Sequence, residues 1–286
     1  MDLISWNIQW GRGCDGRVDL ARTVATLRDM ADADVLCLQE VSRGFPELRG
    51  TPGRDQVEEL EGLLPDYEIL FAPGVDRRSE AGTPRQFGNL IATRLPVREV
   101  FRRPLPWPVD PHVASMPRVA LEVTLLAGIR PVRIICTHLE YYSERQRTAQ
   151  AEALRSWHEE ACQRALHPAP GESYPGPFTP EPRPQSAILC GDFNARPDDV
   201  AYQRTVAPFD EGIPGWRDAW LHTHPDLAHA PTCGLYDKEQ WPEAPFACDF
   251  MFVTEDLEAG IERCEVNAQT DASDHQPVHL TISLER

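Results

Sequence analysis

The sequence lacks the features of a membrane-spanning or secreted protein. No apolar run approaches the roughly 20 residues that a membrane-spanning helix needs. The amino terminus has no basic segment followed by an apolar core, because a strand-like stretch with Leu3, Ile4 and Trp6 begins at once. We therefore expect neither a membrane span nor a secretory signal, and we predict a cytoplasmic location.

The eight cysteines lack the close pairing of many metal and redox motifs, because no C-x-x-C pair occurs. Cys37, Cys136 and Cys190 each lie inside an apolar run, where a free cysteine behaves as a small hydrophobic residue. We predict reduced thiols in a reducing compartment.

Positive charge is also scarce, with 28 basic against 45 acidic residues and a formal net charge of −17. Such a field repels polyphosphate backbones at long range, which argues against non-specific nucleic-acid binding. A local patch or bound metal ions can reverse the potential at one site. One basic stretch, from Arg77 to Arg103, holds seven arginines and two acids. Its arginines are either solvated loop charges or a surface that recognises phosphate.

Hydrophobic patterns predict an α/β protein with substantial β content. The predicted strands are 1–7, 34–40, 67–72, 88–93, 118–126, 132–138, 187–190, 249–253 and 276–284. The predicted helices are 19–31, 55–64, 144–166 and 198–206. Segments 73–87 and 98–111 are predicted to be connections, because they are rich in glycine, proline or arginine. Segment 167–185 holds seven prolines and is predicted to be a surface loop within a single domain, 1–286, because strands with polar ends lie on both sides of it.

Six short polar clusters stand at the ends of predicted strands. They are Trp6-Asn7, Gln39-Glu40, Thr137 to Glu140, Gly191 to Asn194, Cys248-Asp249 and Ser273 to His275. Each has an ordinary explanation on its own, as a turn or a solvated strand end. In the fourth cluster an acid and an amide two residues apart follow a buried strand, which suits the positioning of a water molecule. Because all six close strands, we interpret them as parts of one site.

These motifs resemble those of the endonuclease/exonuclease/phosphatase superfamily. The matching elements are S-W-N ending at Asn7, L-Q-E ending at Glu40, T-H-L at 137–139, G-D-F-N at 191–194, D-F-M-F-V at 249–253 and S-D-H at 273–275. Their order and approximate spacing also match, over nearly the whole chain. The resemblance implies a four-layer α/β sandwich, DNase I-like, with two packed β-sheets flanked by helices. It also implies one domain and a site where the strand ends of both sheets converge.

The resemblance further implies a metal-dependent hydrolytic site. The implied ligands of Mg²⁺, with Mn²⁺ as the other candidate, are Asn7, Glu40 and Asp274, and oxygen ligands of this kind suit Mg²⁺. The implied catalytic residues are His138, Asp192, Asn194, Asp249 and His275. Asp192 would align and deprotonate the attacking water, and Asn194 would fix its orientation. His138 and His275 would donate hydrogen bonds to phosphoryl oxygens, with Asp249 holding His275 charged and oriented.

Five further residues are predicted to bind the substrate. They are Gln9, Tyr142, Arg118, Arg77 and Arg78. Some family members carry an acid at the position of Gln9, which brings no charge here. The basic stretch and the aromatic residues Trp107, Tyr141, Tyr142 and Trp216 are candidates for the rim that faces the substrate. If so, charge reversal at Arg77 and Arg78 should raise KM.

The predicted function is that of a Mg²⁺-dependent phosphodiesterase or nuclease that uses in-line attack of an activated water. Its partner would be a phosphate-ester substrate, nucleic acid included, and we expect a monomer. The alternatives are a phosphomonoesterase, or a phospholipid or sphingomyelin-type phosphodiesterase, since Thr137 to Glu140 is similar to the motif of the branch with tyrosyl-DNA phosphodiesterases and sphingomyelinases. Further alternatives are a catalytically inactive binding protein with the same fold and an α/β scaffold without Mg²⁺ affinity.

A second metal site is the remaining alternative. The pattern H-x-H-x₄-H-x₃-C is formed by His222, His224, His229 and Cys233. These are zinc-ligand residue types, but the two prolines between them are also typical of a plain loop.

Overall fold

The computed structural model describes residues 1–128, 130–168, 176–179, 181 and 183–284. In these ranges the strands are β1 (Asp2–Asn7), β2 (Val35–Arg43), β3 (Glu68–Arg78), β4 (Pro84–Thr93), β5 (Val97–Pro104), β6 (Val119–Ala127), β7 (Arg130–His138), β8 (Ala187–Asp192), β9 (Trp216–Asp218), β10 (Asp249–Thr254), β11 (Ile261–Val266) and β12 (Val278–Ile282). The helices are α1 (Leu20–Met30), α2 (Gln56–Leu63), α3 (Glu144–Leu166), α4 (Val200–Val206), α5 (Ala219–Thr223) and α6 (Glu255–Glu258). Within the same ranges, no helix combines the length and the apolar character needed to cross a membrane.

The strands form two mixed six-stranded sheets, in the orders β11-β12-β1-β2-β4-β3 and β5-β6-β7-β8-β10-β9. In the first sheet, β1 is parallel to β2 and antiparallel to β12. In the second, β7 is parallel to β8, which is antiparallel to β10. In each sheet, two parallel strands therefore end beside the start of an antiparallel strand, at the same end of the sheet.

The two sheets pack face to face through the largest hydrophobic cluster. Leu3 and Ile91 from the first sheet join Leu121, Ile134 and Met251 from the second, and all five side chains are buried. Because helices also cover the outer faces of both sheets, the central strands are buried on both sides and carry nearly continuous apolar runs. These runs made most of the central strands predictable.

Helices cover the outer faces. Leu27 of α1 and Leu60 of α2 pack on the first sheet, while Leu154 of α3 and Tyr202 of α4 pack on the second. Burying a leucine side chain stabilises a fold by about 1.5–3 kcal/mol. The order helix, sheet, sheet, helix is the predicted four-layer α/β sandwich, so the predicted fold class is confirmed.

The helix boundaries follow from local capping. The side chain of Asp19 accepts a hydrogen bond from the Arg22 backbone N–H and begins α1. The Ser143 hydroxyl does the same for α3 by accepting from the backbone N–H of Gln146. Such caps satisfy amides that have no partner inside the helix and contribute about 1 kcal/mol each.

The prediction missed β5, β9 and β11 and the outer parts of β3 and β4. Segment 73–87 is not a loop, because β3 continues to Arg78 and β4 begins at Pro84. Segment 98–111 is not wholly a connection, because β5 occupies 97–104, and β11 was not predicted. The outer part of the β3–β4 ribbon, β5 and β11 all lie at sheet margins and are less buried than the central strands, so they carry charged residues instead of apolar runs. Within the predicted loop 167–185, residues 169–175, 180 and 182 lie outside the described residues.

Candidate active site

The polar clusters meet in one cleft of about 430 Å³, at the edge where strand ends of both sheets come together. The predicted catalytic residues that line it are His138, Asp192, Asn194 and His275. The predicted metal ligands that line it are Glu40 and Asp274. The predicted substrate-binding residues that line it are Gln9, Arg118 and Tyr142.

Two further predicted residues lie directly behind the cleft wall. Asn7 is buried and donates a hydrogen bond from Nδ2 to Oδ2 of Asp192 (2.9 Å). Asp249 is buried and its Oδ2 lies 2.9 Å from Nδ1 of His275. The structure thus brings all the predicted catalytic and metal-binding residues into one constellation.

Asp192 is the centre of this constellation. In the sheet it pairs with His138 on one side and with Asp249 on the other, so its backbone is fixed by two neighbouring strands. The Asn194 backbone N–H donates to Oδ1 (2.8 Å), opposite the contact that Asn7 makes with Oδ2. Burial, reinforced by Asp249 and opposed by His275, raises the pKa of Asp192 to about 6. This carboxylate is therefore held rigidly and has the proton affinity of a general base that works near neutral pH.

Gly191 permits this close strand pairing. Its φ of 139° lies where residues with a side chain are strained, and an added Cβ would collide with the Thr137 carbonyl oxygen of β7. The glycine of the G-D-F-N motif is thus required by the close approach of β7 and β8.

His275 is a charged hydrogen-bond donor. Burial disfavours the imidazolium, but the carboxylates of Asp249 and Asp192 outweigh burial and raise the pKa of His275 well above its usual range. The Trp6 indole N–H donates to the backbone carbonyl of His275 (2.8 Å) and fixes the main chain. Because Nδ1 is engaged by Asp249, Nε2 remains directed at Asp192, 3.8 Å away.

His138 differs from His275 in its charge state. Burial, followed by the positive charges of Arg118 and His275, lowers the pKa of His138 well below its usual value. Its Nε2 lies 3.3 Å from Oδ2 of Asp192 and 3.0 Å from Nδ2 of Asn194. His138 is therefore a neutral imidazole, which can donate from one ring nitrogen only.

The Asn194 side chain is directed at protein groups. Its Nδ2 also donates to the backbone carbonyl of Leu139 (3.0 Å), and its φ of 47° is left-handed. Asn194 thus fixes His138 through its side chain and Asp192 through its backbone N–H, whereas the sequence had suggested contact with water.

Glu40 enters the cleft through an irregularity in β2. The pairing of β2 with β4 shifts register between Leu38 and Val41, and Glu40 has a φ of 62°. Strained backbone of this kind concentrates at functional sites, and a bulge redirects a side chain. Burial, followed by the nearby Asp274 carboxylate, raises the pKa of Glu40 to about 7.

Asp274 is held by residues that the sequence did not mark. Gln240 Nε2 and Trp241 Nε1 both donate to its Oδ2, at 3.0 and 3.1 Å. Gln240 in turn accepts from Nε2 of Gln9 (3.1 Å), and Gln9 accepts from Arg12. Both polar ends of the Gln9 side chain are therefore engaged within the protein. No motif surrounds Gln240 or Trp241, so only the fold reveals their role.

The donor set fits a hard divalent cation. Among the described residues, Asn7 Nδ2 is the one hydrogen-bond donor to the Glu40 carboxylate (3.2 Å), and Asp274 places a second negative charge nearby. Asp192, Asp249 and His275 form a further group whose ligand atoms lie within 4.8 Å of one another. The donors to these two neighbouring carboxylates are neutral side chains, and an oxygen-coordinated cation such as Mg²⁺ would compensate their charges.

The predicted substrate residues divide into two groups. Arg118 is buried against the cleft, its Nε donates to Glu140 (3.1 Å), and within the described residues its NH1 nitrogen has no partner. Tyr142 is exposed and makes an edge-to-face contact with Tyr141, both at the cleft mouth.

The remaining candidates for the rim lie elsewhere. Arg77 and Arg78 are exposed at the end of β3 and are not brought to the cleft wall, so their role in binding stays a prediction. Trp216 is buried beside His158, and Trp107 donates to Ser115, so neither faces the cleft. Trp10, which sequence reasoning missed, does line it.

The alternative zinc set is not assembled. Its four members contact different partners: His222 lies beside Glu258, His224 stacks on Trp220, His229 bonds to Asp218, and Cys233 lies beside His275. The spacing in the sequence had suggested one zinc site, but the fold gives these four side chains separate partners.

The four-layer sandwich, with strand ends of both sheets meeting at one cleft, is also found in solved structures. The chain is similar to an endonuclease/exonuclease/phosphatase from Beutenbergia cavernae DSM 12333, with a TM-score of 0.64 and 22% identity over 98% of this chain and 70% of that one. It is similar to mannosyl-6-phosphatase Bt3783 of Bacteroides thetaiotaomicron VPI-5482 (TM-score 0.66, 17% identity, 99% and 100% covered). It is also similar to D. rerio TDP2 complexed with single strand DNA product (TM-score 0.63, 18% identity, 99% and 98% covered). At such identities the likeness shows the fold alone.

The sequence itself matches the Endonuclease/Exonuclease/phosphatase family over residues 4–275. The chain therefore belongs to this family, as its motifs predicted. Members are generally hydrolases of phosphate esters and typically depend on a divalent metal. Among curated proteins, none matches the chain significantly.

Proposed function

We propose that the protein is a Mg²⁺-dependent phosphodiesterase that attacks its substrate directly with water. The observation that carries the proposal is the position of Asp192. It is a rigid carboxylate between a charged and a neutral histidine, on the wall of a cleft that also contains Glu40 and Asp274. Among the described residues, the cleft wall contains no serine or cysteine that could act as a nucleophile beside a base. We therefore propose direct attack by water, without a covalent intermediate.

Asp192 acts as the base in this proposal. Asn7 and Asn194 hold its two oxygens, so that a water molecule in the cleft gives its proton to Asp192 as it attacks phosphorus. His275 supplies a positively charged N–H to the phosphoryl oxygens, where negative charge develops in an in-line transition state. His138 is neutral and accepts a hydrogen bond from Nδ2 of Asn194 at Nε2, so it borders the carboxylate without donating to it.

The metal site would comprise Glu40, Asn7 and Asp274, with Mg²⁺ or Mn²⁺ as the ion. When bound, such an ion supplies Lewis-acid polarisation of a phosphoryl oxygen and stabilises the leaving group. Gln240 and Trp241 keep Asp274 turned toward the cleft. Their hydrogen bonds would set its orientation before the ion arrives.

The cleft mouth favours a compact or single-stranded phosphodiester over a long duplex. Tyr141 and Tyr142 offer aromatic surfaces on which a base or another planar group can stack. Among the described residues, Arg118 is the one arginine that lines the cleft, so positive charge there is limited. The net charge of −17 repels extended polyanions.

A Mg²⁺ titration with bis(p-nitrophenyl) phosphate tests the proposal. Hydrolysis should require the ion and should fall by at least about 100-fold in Asp192→Asn, since general-base catalysis contributes about 10²–10⁴-fold. Asp198→Asn, an exposed acid in the same segment, is the matched control and should keep its activity. Metal-independent turnover, or turnover that survives in Asp192→Asn, would remove the proposal.

A phosphomonoesterase is the second candidate, and Arg118 is the observation that favours it. Its NH1 nitrogen is buried without a partner in the described residues, and a movement of the side chain toward the cleft would let it bind the additional charged oxygen of a monoester. If this candidate holds, p-nitrophenyl phosphate is turned over faster than the diester, and Arg118→Met reverses the preference. A preference for the diester in both proteins would exclude it.

A further inference from the structure

Two buried cysteines lie against the catalytic histidine, and the proposed hydrolysis uses neither. Cys233 and Cys248 are fully buried, and their sulfur atoms and a ring nitrogen of His275 lie within 4.8 Å of one another. Cys233 Sγ is 3.9 Å from Nε2 of His275, and Cys248 Sγ is 3.9 Å from Nδ1. Cys233 was grouped with three histidines by its spacing, but the fold places it here instead.

We propose that Cys233, Cys248 and His275 form a binding site for a thiophilic divalent cation, of which Zn²⁺ is the biological representative. Occupancy would withdraw His275 from hydrolysis, so the site would be inhibitory. This last step rests on the proposed function, whereas binding does not. The two thiols and the His275 imidazolium would each lose one proton to solvent, so that the sulfur atoms bind as thiolates and Nε2 binds as a neutral imidazole nitrogen.

The spacing fits tetrahedral coordination. Zn–S bonds of about 2.3 Å and Zn–N bonds of about 2.0–2.1 Å place adjacent sulfur and nitrogen ligands about 3.6 Å apart. The Cys233 Sγ to His275 Nε2 distance of 3.9 Å differs from this by a few tenths of an ångström. Cys248 Sγ, which lies 3.9 Å from Nδ1, would have to turn toward Nε2 to complete the site.

The surroundings have the form of a zinc-ligand support. Asp249 engages Nδ1 of His275, which leaves Nε2 as the ligating nitrogen in the carboxylate–histidine arrangement of many zinc sites. Asp249 Oδ1 is buried and, among the described residues, has no hydrogen-bond partner. A second positive charge beside this oxygen would compensate its burial.

The backbone holds the ligands before any ion arrives. Cys233 pairs across isolated bridges with both Phe246 and His275. The Thr232 hydroxyl accepts hydrogen bonds from the backbone N–H groups of Cys248 and Asp249. The two cysteines and the histidine are thus fixed on three adjoining segments.

The ion would enter from the cleft. His275 and Trp241 both line the cleft, and the Trp241 ring packs against Cys233 and Cys248 in a separate small cluster. Displacement of this one side chain would expose the sulfur atoms.

Titration with Cd²⁺ provides the test of binding, because the ultraviolet charge-transfer absorption of Cd²⁺–thiolate bonds reports sulfur ligands and is silent for Cd²⁺ at the carboxylates. The wild type should bind one ion with this absorption. Cys233→Ala and Cys248→Ala should each weaken binding by more than about 100-fold, since outer-shell changes alone cost about 10–100-fold. Cys14→Ala, which removes the most accessible described thiol, should bind like the wild type. Absorption that persists in both site variants, or disappears with Cys14, would overturn the proposal.

X-ray absorption of the Zn²⁺-loaded wild type covers the case in which a variant does not fold. Two sulfur atoms and one imidazole around zinc are expected, whereas a shell of oxygen and nitrogen alone would overturn the site.

Inhibition is measured separately. Zn²⁺ should inhibit Mg²⁺-dependent hydrolysis, and each site variant should need more than about tenfold higher Zn²⁺ for half-inhibition of its own rate. Equal inhibition of all proteins would refute the inhibitory role. Cd²⁺–thiolate binding in a wild type without hydrolytic activity would support the site and contradict the proposed function, so the two failures are distinguishable.

Discussion

The Glu40 carboxylate should destabilise the metal-free protein at neutral pH, and Glu40→Gln should relieve this effect. Burial and the Asp274 carboxylate raise the pKa of Glu40 from its usual 4.5 to about 7. The folded protein therefore holds a proton on Glu40 between these two pH values, where the unfolded chain has lost it. Because the folded state binds more protons, stability falls as pH rises through this window.

The size of the effect follows from the displacement of the pKa. One pH unit of displacement corresponds to about 1.4 kcal/mol, so the full cost above the folded-state pKa of about 7 is about 3 kcal/mol. The cost is small near pH 4.5, the usual pKa, where the folded state still keeps Glu40 neutral. Glutamine keeps an oxygen that can accept from Asn7 (3.2 Å in the native pair), so the substitution removes the charge and retains the contact.

Urea unfolding in EDTA, at about pH 8 and about pH 5, measures this prediction. At the higher pH, Glu40→Gln should be more stable than the wild type by about 1–3 kcal/mol, and the gain should shrink at the lower pH. Glu61→Gln, an exposed acid on α2, is the matched control and should show no gain. A Glu40→Gln protein that is less stable than the wild type at the higher pH would refute the reasoning.

Three further predictions concern rate, binding and packing. The kcat/KM for diester hydrolysis should fall as pH drops through about 6, because protonation of Asp192 removes the base, and a flat profile from pH 5 to 8 would contradict this role. Tyr142→Ala should raise KM about 5- to 150-fold for a substrate with a nucleobase, since stacking contributes about 1–3 kcal/mol, while substitution of another exposed tyrosine in Tyr236→Ala should not. Gly191→Ala should lower the thermal unfolding midpoint by several degrees through its collision with Thr137, and an unchanged midpoint would show that β7 and β8 can separate.

The sequence contained enough information for the sandwich and for most of the site. Strands such as β7 and β8 are covered on both faces, so burial imposes apolar runs that are visible without a structure. The polar residues that end these runs stand out against them. The central strands and the motif residues Asp192 and His275 were therefore predictable.

Peripheral strands and long-range supports were not predictable from local pattern. β5 and β11 are edge strands whose charged residues meet solvent, so they look like connections. Trp241 reaches Asp274 from 33 residues away along the chain, and no spacing rule indicates that contact. The same limit explains why the spacing of His222, His224, His229 and Cys233 suggested a zinc site that the fold does not assemble. Cys233 lies beside His275 through the pairing of distant segments, which local spacing does not reveal.

One experiment tests the central claim that a single cleft holds both the metal and the base. Mg²⁺-induced thermal stabilisation and Mg²⁺-dependent hydrolysis of bis(p-nitrophenyl) phosphate are measured on the wild type, Glu40→Gln and Asp192→Asn. We predict that Asp192→Asn keeps the stabilisation and loses hydrolysis, while Glu40→Gln loses both. Hydrolysis by Asp192→Asn at the wild-type rate, or an undiminished response of Glu40→Gln to Mg²⁺, would contradict the claim.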